Sequence, residues 1–244
     1  MLFVSRKRIY LMAIAIVTSL FMYAIHVGAD DAVQPYTNAI STSSLPVSNK
    51  VIVLDAGHGK PDEGAQSSNG TTEEAINLKI VQKVQHLLEQ AGSTVILTRS
   101  DENGIYHTDA ASLRNKKVSD IKNRVTIGNE SSADIFVSVH LNKIPQPQYS
   151  GWQTFFKQGN EQSKKLANNI QQALNASIQK ENKREPLKIT GKYIIDHVEI
   201  PTTIVECGFL SNPEEEKQLQ DDQYQERLAW GIYTGIMDYF YENP

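Results

Sequence analysis

In Val51-Ile-Val-Leu-Asp-Ala-Gly-His-Gly59, four apolar residues run into an aspartate and then into a histidine held between glycines. The apolar run, rich in β-branched residues, reads as a strand buried on both faces. Asp55, Ala56 and the glycines break it, and glycine on each side lets the chain turn while leaving the imidazole uncovered. In open α/β sheets, ligands gather in the crevice beyond the carboxyl ends of the strands. His58 is therefore placed to hold a metal or move a proton, although an ordinary loop histidine would look the same in isolation. The same arrangement recurs twice downstream.

Ala133-Asp-Ile-Phe-Val-Ser-Val-His140 is a second buried strand ending in a histidine, with Asn142 just beyond. Pro201-Thr-Thr-Ile-Val-Glu-Cys-Gly-Phe-Leu-Ser-Asn212 is the third. Alternation puts Thr203, Val205 and Cys207 on one face and Thr202, Ile204 and Glu206 on the other. A glutamate at the carboxyl end of such a strand is costly unless paired, hydrogen-bonded or near a metal. Cys207 reads as a small core residue.

Between these strands the pattern is helical. Thr71 with Glu74 three residues on has the form of a capping box. Ile76, Ile80, Val84 and Leu87/Leu88 follow as one apolar stripe, ended by Gly92. Glu73 has an ordinary reading as a charge complementing the helix dipole. Thr94–Thr98 is a strand followed by Arg99, residues 100–119 read as a surface loop, and Ile121–Asn129 as a helix bearing Arg124. A strand at Gly151–Phe156, an amphipathic helix at Glu161–Lys180 and a helix from Glu214 to the end complete the order. Strands alternating with helices predict one α/β domain, with a mostly parallel twisted sheet and helices on both faces.

The chain has 244 residues, enough for that domain and an appendage. Arg6, Lys7 and Arg8 precede about nineteen residues, Ile9–Val27, that carry no fixed charge. This is the pattern of export, either a signal peptide with Val27-Gly-Ala29 as cleavage site or an uncleaved anchor, within residues 1–29. The basic residues orient the rest of the chain to the extracytoplasmic side, with the N-terminal segment in the membrane. Residues 30–47, poor in periodicity and rich in Ser, Thr and Ala, read as a flexible linker, leaving 48–244 as the domain. Net charge is −4, and −7 once the three leader cations are set aside, which argues against nucleic acid as a partner. With one cysteine no internal disulfide can form.

Two histidines at strand ends, an oxygen ligand available from Glu73 and a separate Glu206 form a set. His₂Glu with an open fourth position is a catalytic zinc arrangement, and zinc brings the pKa of bound water to about 7. A second carboxylate can then take the water's proton and return it to a leaving amine. No serine elbow, Walker loop or dinucleotide fingerprint is present. Carboxypeptidase-like or deacetylase-like zinc hydrolases would use similar ligands on other bonds. A catalytically silent binding or regulatory protein would keep the fold but lose a ligand or Glu206, and all four residues are here.

Asp55-Ala-Gly-His-Gly59, Glu73-x-x-x-Asn77-Leu78, Ser138-Val-His-Leu-Asn142 and Val205-Glu-Cys-Gly-Phe-Leu-Ser-Asn212 together resemble the zinc-dependent N-acetylmuramoyl-L-alanine amidases of the type-3 family. The resemblance runs from about Lys50 to the C-terminus. It implies one zinc ion held by His58, Glu73 and His140, with Glu206 as catalytic glutamate. The substrate it implies is the amide between the lactyl group of N-acetylmuramic acid and L-alanine in peptidoglycan. Arg124-Val-Thr-Ile-Gly-Asn129 also fits, with Gly128 where alanine is usual, and Arg124 and Asn142 are the expected substrate contacts. A bare domain on a leader is most similar to the germination-specific amidases of spore formers, which act on cortex before muramic-lactam synthesis. That implies residence in the spore intermembrane space. Ile194-Ile-Asp-His197 departs from the family's frequent Leu-Arg pair, and no autoinhibitory helix is evident between His140 and Glu206, so control falls to timing or to an extracytoplasmic protein partner.

Overall fold

The computed structural model describes residues 14–20, 22–23 and 44–243. The chain divides into two compact units, Met1–Ser43 and Ser44–Pro244. In the first, the described residues are helical and exposed; most of the expected leader, its cleavage site and linker residues 30–43 lie outside the described residues. Among the described residues no helix is long and apolar enough to cross a membrane.

The second unit takes in four residues expected in the linker. Val47 is fully buried, and the Ser48 hydroxyl donates to Ala91 O at 3.2 Å. Strand β1 (Val51–Ala56) is followed by helix α1 (Glu73–Gln90), β2 (Thr94–Leu97), α2 (Leu113–Glu130), β3 (Ile135–Asn142) and β4 (Gln153–Lys157). Next come α3 (Glu161–Ile178), β5 (Leu187–Ile189), α4 (Tyr193–His197), β6 (Thr202–Phe209), α5 (Pro213–Gln220) and α6 (Asp222–Glu242). The six strands form one sheet in the order β2-β1-β3-β6-β4-β5. β1, β2, β3 and β6 are mutually parallel, while β4 runs antiparallel to β6 and carries β5 beside it.

Alternation along the strands divides the core in two. Ile52, Leu54, Val137, Val139, Val205 and Cys207 face one cluster, built with the apolar stripes of α1, α3 and α6. Val53 and Phe136 face a smaller cluster with Val125 of α2, Ile194 of α4 and Val198. On this second face the strands turn polar towards their carboxyl ends. Val53 gives way to Asp55, and Phe136 to Ser138 and then His140. The crevice beneath α2 and α4 is thereby lined with chemistry, the opposite face with packing.

Four local expectations are revised. Helix α2 starts two turns before Ile121, where Ser112 caps it by accepting from Asn115 N at 3.1 Å. Its first turns leave Leu113 and Val118 exposed, so no apolar stripe announces them. β5 and α4 were not expected; each is too short to show periodicity. The C-terminal helix is two helices, because Asp221 is extended (φ −76°, ψ 127°) and accepts from Tyr224 N to cap α6.

Candidate metal centre

His58 leaves β1 in a left-handed conformation (φ 64°), uncommon for a residue with a Cβ and characteristic of functional turns. The adjacent Gly57 has a packing reason beyond its flexibility. A Cβ there would collide with the His140 ring, so glycine is what lets the second imidazole approach. The two rings meet edge to face with centroids 5.0 Å apart.

The third member comes from the start of α1, and not as the capping pattern suggests. The N-cap is Thr72, which makes no side-chain cap bond. Instead the loop supplies carbonyls: Glu73 N donates to Ala65 O at 2.8 Å and Glu74 N to Glu63 O at 3.2 Å. Backbone satisfies the helix end, so the expected Thr71–Glu74 box does not form. Glu74 is buried, with Oε2 unpartnered among the described residues. Glu73 is turned into the crevice. Its Oε1 accepts from Leu141 N at 3.0 Å and lies 2.9 Å from Nδ1 of His140; its Oε2 accepts from Ala65 N at 2.8 Å and lies 3.3 Å from Nε2 of His58. One turn along, Asn77 donates to Gly57 O at 3.2 Å and ties the helix to the His58 loop.

Burial works against ionisation of Glu73, but the two histidines outweigh it and hold the carboxyl well below the usual range. His58 is pulled down by burial and pushed up further by Asp62 and Glu73, to about 9. Asp62 sits 3.2 Å from Nδ1 of His58 and takes Lys117 Nζ at 2.7 Å on its other oxygen. A carboxylate behind a ring nitrogen fixes the orientation of the imidazole and leaves the other nitrogen for a ligand. Sequence reading missed Asp62, since nothing in its spacing separates it from the polar residues around it.

One donor atom from each of His58, Glu73 and His140 lies within 4.8 Å of the other two. Zinc–ligand bonds of about 2.0–2.2 Å place tetrahedral ligand atoms roughly 3.3–3.5 Å apart. The 2.9 and 3.3 Å contacts run to different oxygens of Glu73, so it is the donor chemistry, two imidazoles and a carboxylate converging on one point, that fits a divalent ion such as zinc.

Glu206 pairs in register with His140 on the neighbouring strand, so the two side chains share the crevice face. Its Oε2 is inaccessible and has no partner among the described residues. Burial raises its carboxyl, with His140 pulling against and Glu73 adding to the effect. Cys207 points into the opposite core, where burial pushes the thiol up and away from reactivity. Over the histidines lies a cleft of about 340 Å³ walled by Val118, Ile121 and Ile194. A larger groove of about 1200 Å³, between α1, α3 and α6, contains none of these residues.

The two expected substrate contacts fare differently. Arg124 lines the cleft but is only 2% exposed, and its donors are engaged by internal partners. It donates to Asp55 Oδ1 at 2.6 Å, to Ala56 O at 2.7 Å, to Asp120 at 2.6 and 3.3 Å, and to His58 O. Asn142 ends β3 half-buried, at a register irregularity against β6, with its backbone carbonyl accepting from Leu210 N. The divergent Ile194–His197 segment is α4 itself. Ile195 is buried, Ile194 lines the cleft, and His197 stacks on Tyr193 at 4.0 Å within its own helix.

With this geometry in view, residues 52–238 match the family profile described as N-acetylmuramoyl-L-alanine amidase. The chain is 34% identical over 223 residues to the germination-specific N-acetylmuramoyl-L-alanine amidase of Bacillus subtilis, covering 91% of this chain and 90% of that one. Among solved structures it is similar to the CwlD amidase of Clostridioides difficile, determined in complex with the GerS lipoprotein. There the TM-score is 0.78 and identity 42%, over 80% of this chain and all of that one. The catalytic domain of the amidase CwlV from Paenibacillus polymyxa gives a TM-score of 0.67 and 31% identity, over 78% of this chain and 97% of that one. The chain belongs to the N-acetylmuramoyl-L-alanine amidase family.

Proposed function

We propose that this amidase cleaves the bond between N-acetylmuramic acid and L-alanine in peptidoglycan with one zinc ion held by His58, Glu73 and His140. The observation that carries the reading is the convergence of one donor atom from each within 4.8 Å, beside a glutamate with a buried oxygen unpartnered among the described residues. A bound divalent ion would supply electrophilic polarisation of the scissile carbonyl and acidify a water. Glu206, raised by burial and facing the same crevice, takes a proton and delivers it to the departing alanine nitrogen. Asp62 keeps His58 turned, and Val118, Ile121 and Ile194 give the cleft an apolar wall.

The similarity to a germination-specific amidase supports a role in spore cortex, on the extracytoplasmic side, with residues 1–29 as leader, 30–43 as tether and the catalytic unit following. The relative solved with a lipoprotein supports an extracytoplasmic protein partner for this chain also.

The test is release of stem peptide from purified muropeptides by the full-length chain, before and after chelation and with zinc restored. Chelation should abolish release and zinc restore it. Glu73→Gln should lose metal and activity together, because a neutral amide is a poorer partner for a divalent cation than a carboxylate. Metal content unchanged in that variant would remove Glu73 from the ligand set.

A further inference from the structure

The row that contains His140 and Glu206 continues across the sheet. Gln153 of β4 pairs in register with Glu206, so His140, Glu206 and Gln153 stand side by side on the crevice face. Gln153 touches no ligand of the metal centre; its amide is held by the segment before β5. Gln153 Nε2 donates to Glu185 O at 2.8 Å, and Gln153 Oε1 accepts from Arg184 Nη1 at 3.1 Å.

Arg184 is the unusual member of this arrangement. Its backbone is fixed on both sides: the N–H donates to Asn182 Oδ1 at 3.2 Å and the carbonyl accepts from Gln171 Nε2 at 3.1 Å. Nε donates to Ser150 O at 3.0 Å, and the guanidinium lies over the rings of Phe209 and Tyr149, at 4.5 and 5.9 Å from their centroids. Phe209 is buried and Arg184 itself half-buried, so the group is walled by the ring yet retains exposed surface. Among the described residues no carboxylate comes within 4.0 Å of it, and its second Nη1 hydrogen and both Nη2 hydrogens have no acceptor. The buried Glu215 carboxylate feels the charge but spends its oxygens on Gly151 N and Phe209 N.

A planar cation braced by backbone, amide and aromatic ring, with donors left over, is built to receive a planar anion. Neighbouring strands are about 4.8 Å apart, so two strand spacings separate the His140 and Gln153 positions by roughly 10 Å. An extended peptide advances about 3.3–3.6 Å per residue, so a peptide leaving the scissile amide reaches that distance within its first three residues. We infer that Arg184 is a specificity residue: it binds a carboxylate on the second or third residue of the stem peptide, in a subsite running over Glu206 and Gln153.

This inference rests on the amidase reading. The full-length chain is assayed on two muropeptides that differ only at the second peptide residue, one with a free carboxylate and one with a carboxamide, and then on a pair differing in the same way at the third. For at least one pair the unaltered protein should favour the carboxylate form by about tenfold or more in kcat/KM, as expected for a charge-assisted hydrogen bond. Arg184→Gln should bring that ratio close to one by raising KM for the carboxylate form, with kcat little changed. Arg184→Lys should keep part of the preference. Equal rates on both members of both pairs would overturn the subsite while leaving the amidase activity standing. So would Arg184→Gln and Arg184→Lys variants that slow both members equally. No release from any substrate by the unaltered protein would overturn the amidase reading itself.

Discussion

Two buried polar centres lie within a few residues of each other, and they are built on opposite rules. Around Asp55 every group is satisfied: the carboxylate takes Ser138 Oγ at 2.5 Å, Thr98 Oγ1 at 2.6 Å and Arg124 at 2.6 Å, and Arg124 spends its remaining donors on Asp120, Ala56 O and His58 O. Just beyond it, towards the ends of β6 and β1, Glu206 has an inaccessible oxygen with no partner among the described residues and His58 is held in a strained backbone. Buried polar groups are normally hydrogen-bonded, and exceptions concentrate where a ligand or a proton is to be exchanged. The saturated centre fixes geometry, and the unsaturated one is left to act.

The sharpest way to break this contrast is to remove the unsaturated charge. Glu206→Gln should lower turnover by about 10²–10⁴-fold, the usual worth of a general acid–base group, while leaving the unfolding midpoint unchanged or raised. Steady-state rates with denaturant titration on the same preparation measure both. A clear loss of stability would make Glu206 structural. At the saturated centre the pattern reverses. Arg124→Ala leaves Asp55 buried and uncompensated, a change that costs about 3–5 kcal/mol in unfolding free energy. Should it instead spare stability and raise KM, Arg124 would be a substrate residue after all.

Asp55 extends the contrast into pH. Burial opposes its charge, but Arg124, Ser138 and Thr98 together hold its folded-state pKa below the usual value. A depressed folded pKa contributes stability that is fully present above the unfolded pKa, about 3.9, and is lost as pH falls through the folded value. The centre should therefore add nothing pH-dependent above about pH 5 and weaken below about 4. Urea unfolding at stepped pH measures this, and Asp55→Asn should flatten that acid limb. A smaller effect is expected at Gly128, on the helix carrying Arg124. A Cβ there would lie 2.9 Å from the buried Phe136 ring. Gly128→Ala should be destabilising by about 1–3 kcal/mol despite the better helix former, and a thermal melt decides the sign.

What the sequence could carry was periodicity and punctuation. Buried strands ending in His58, His140 and Glu206, and the stripe on α1, are legible because long apolar patterns override local noise. Alternation along β6 separated Glu206 from Cys207, as the structure has it. The capping box for Glu74 and the helix dipole for Glu73, in contrast, were local accounts that no local pattern could test. Only the folded loop could, because Glu63 O and Ala65 O arrive from outside the helix to satisfy its end and release Glu73 to face the histidines. The partners of Arg124 were hidden for the same reason: the sheet brings Asp55, Ala56 O and His58 O against it from up to 69 residues away in the chain. Asp62 and Arg184 lay below notice because their meaning is in a neighbour's ring nitrogen and in two strand registers. Local patterns set which residues are buried and which strands end in chemistry; long-range contacts decide what each polar group is paired with, and so which ones remain free to react.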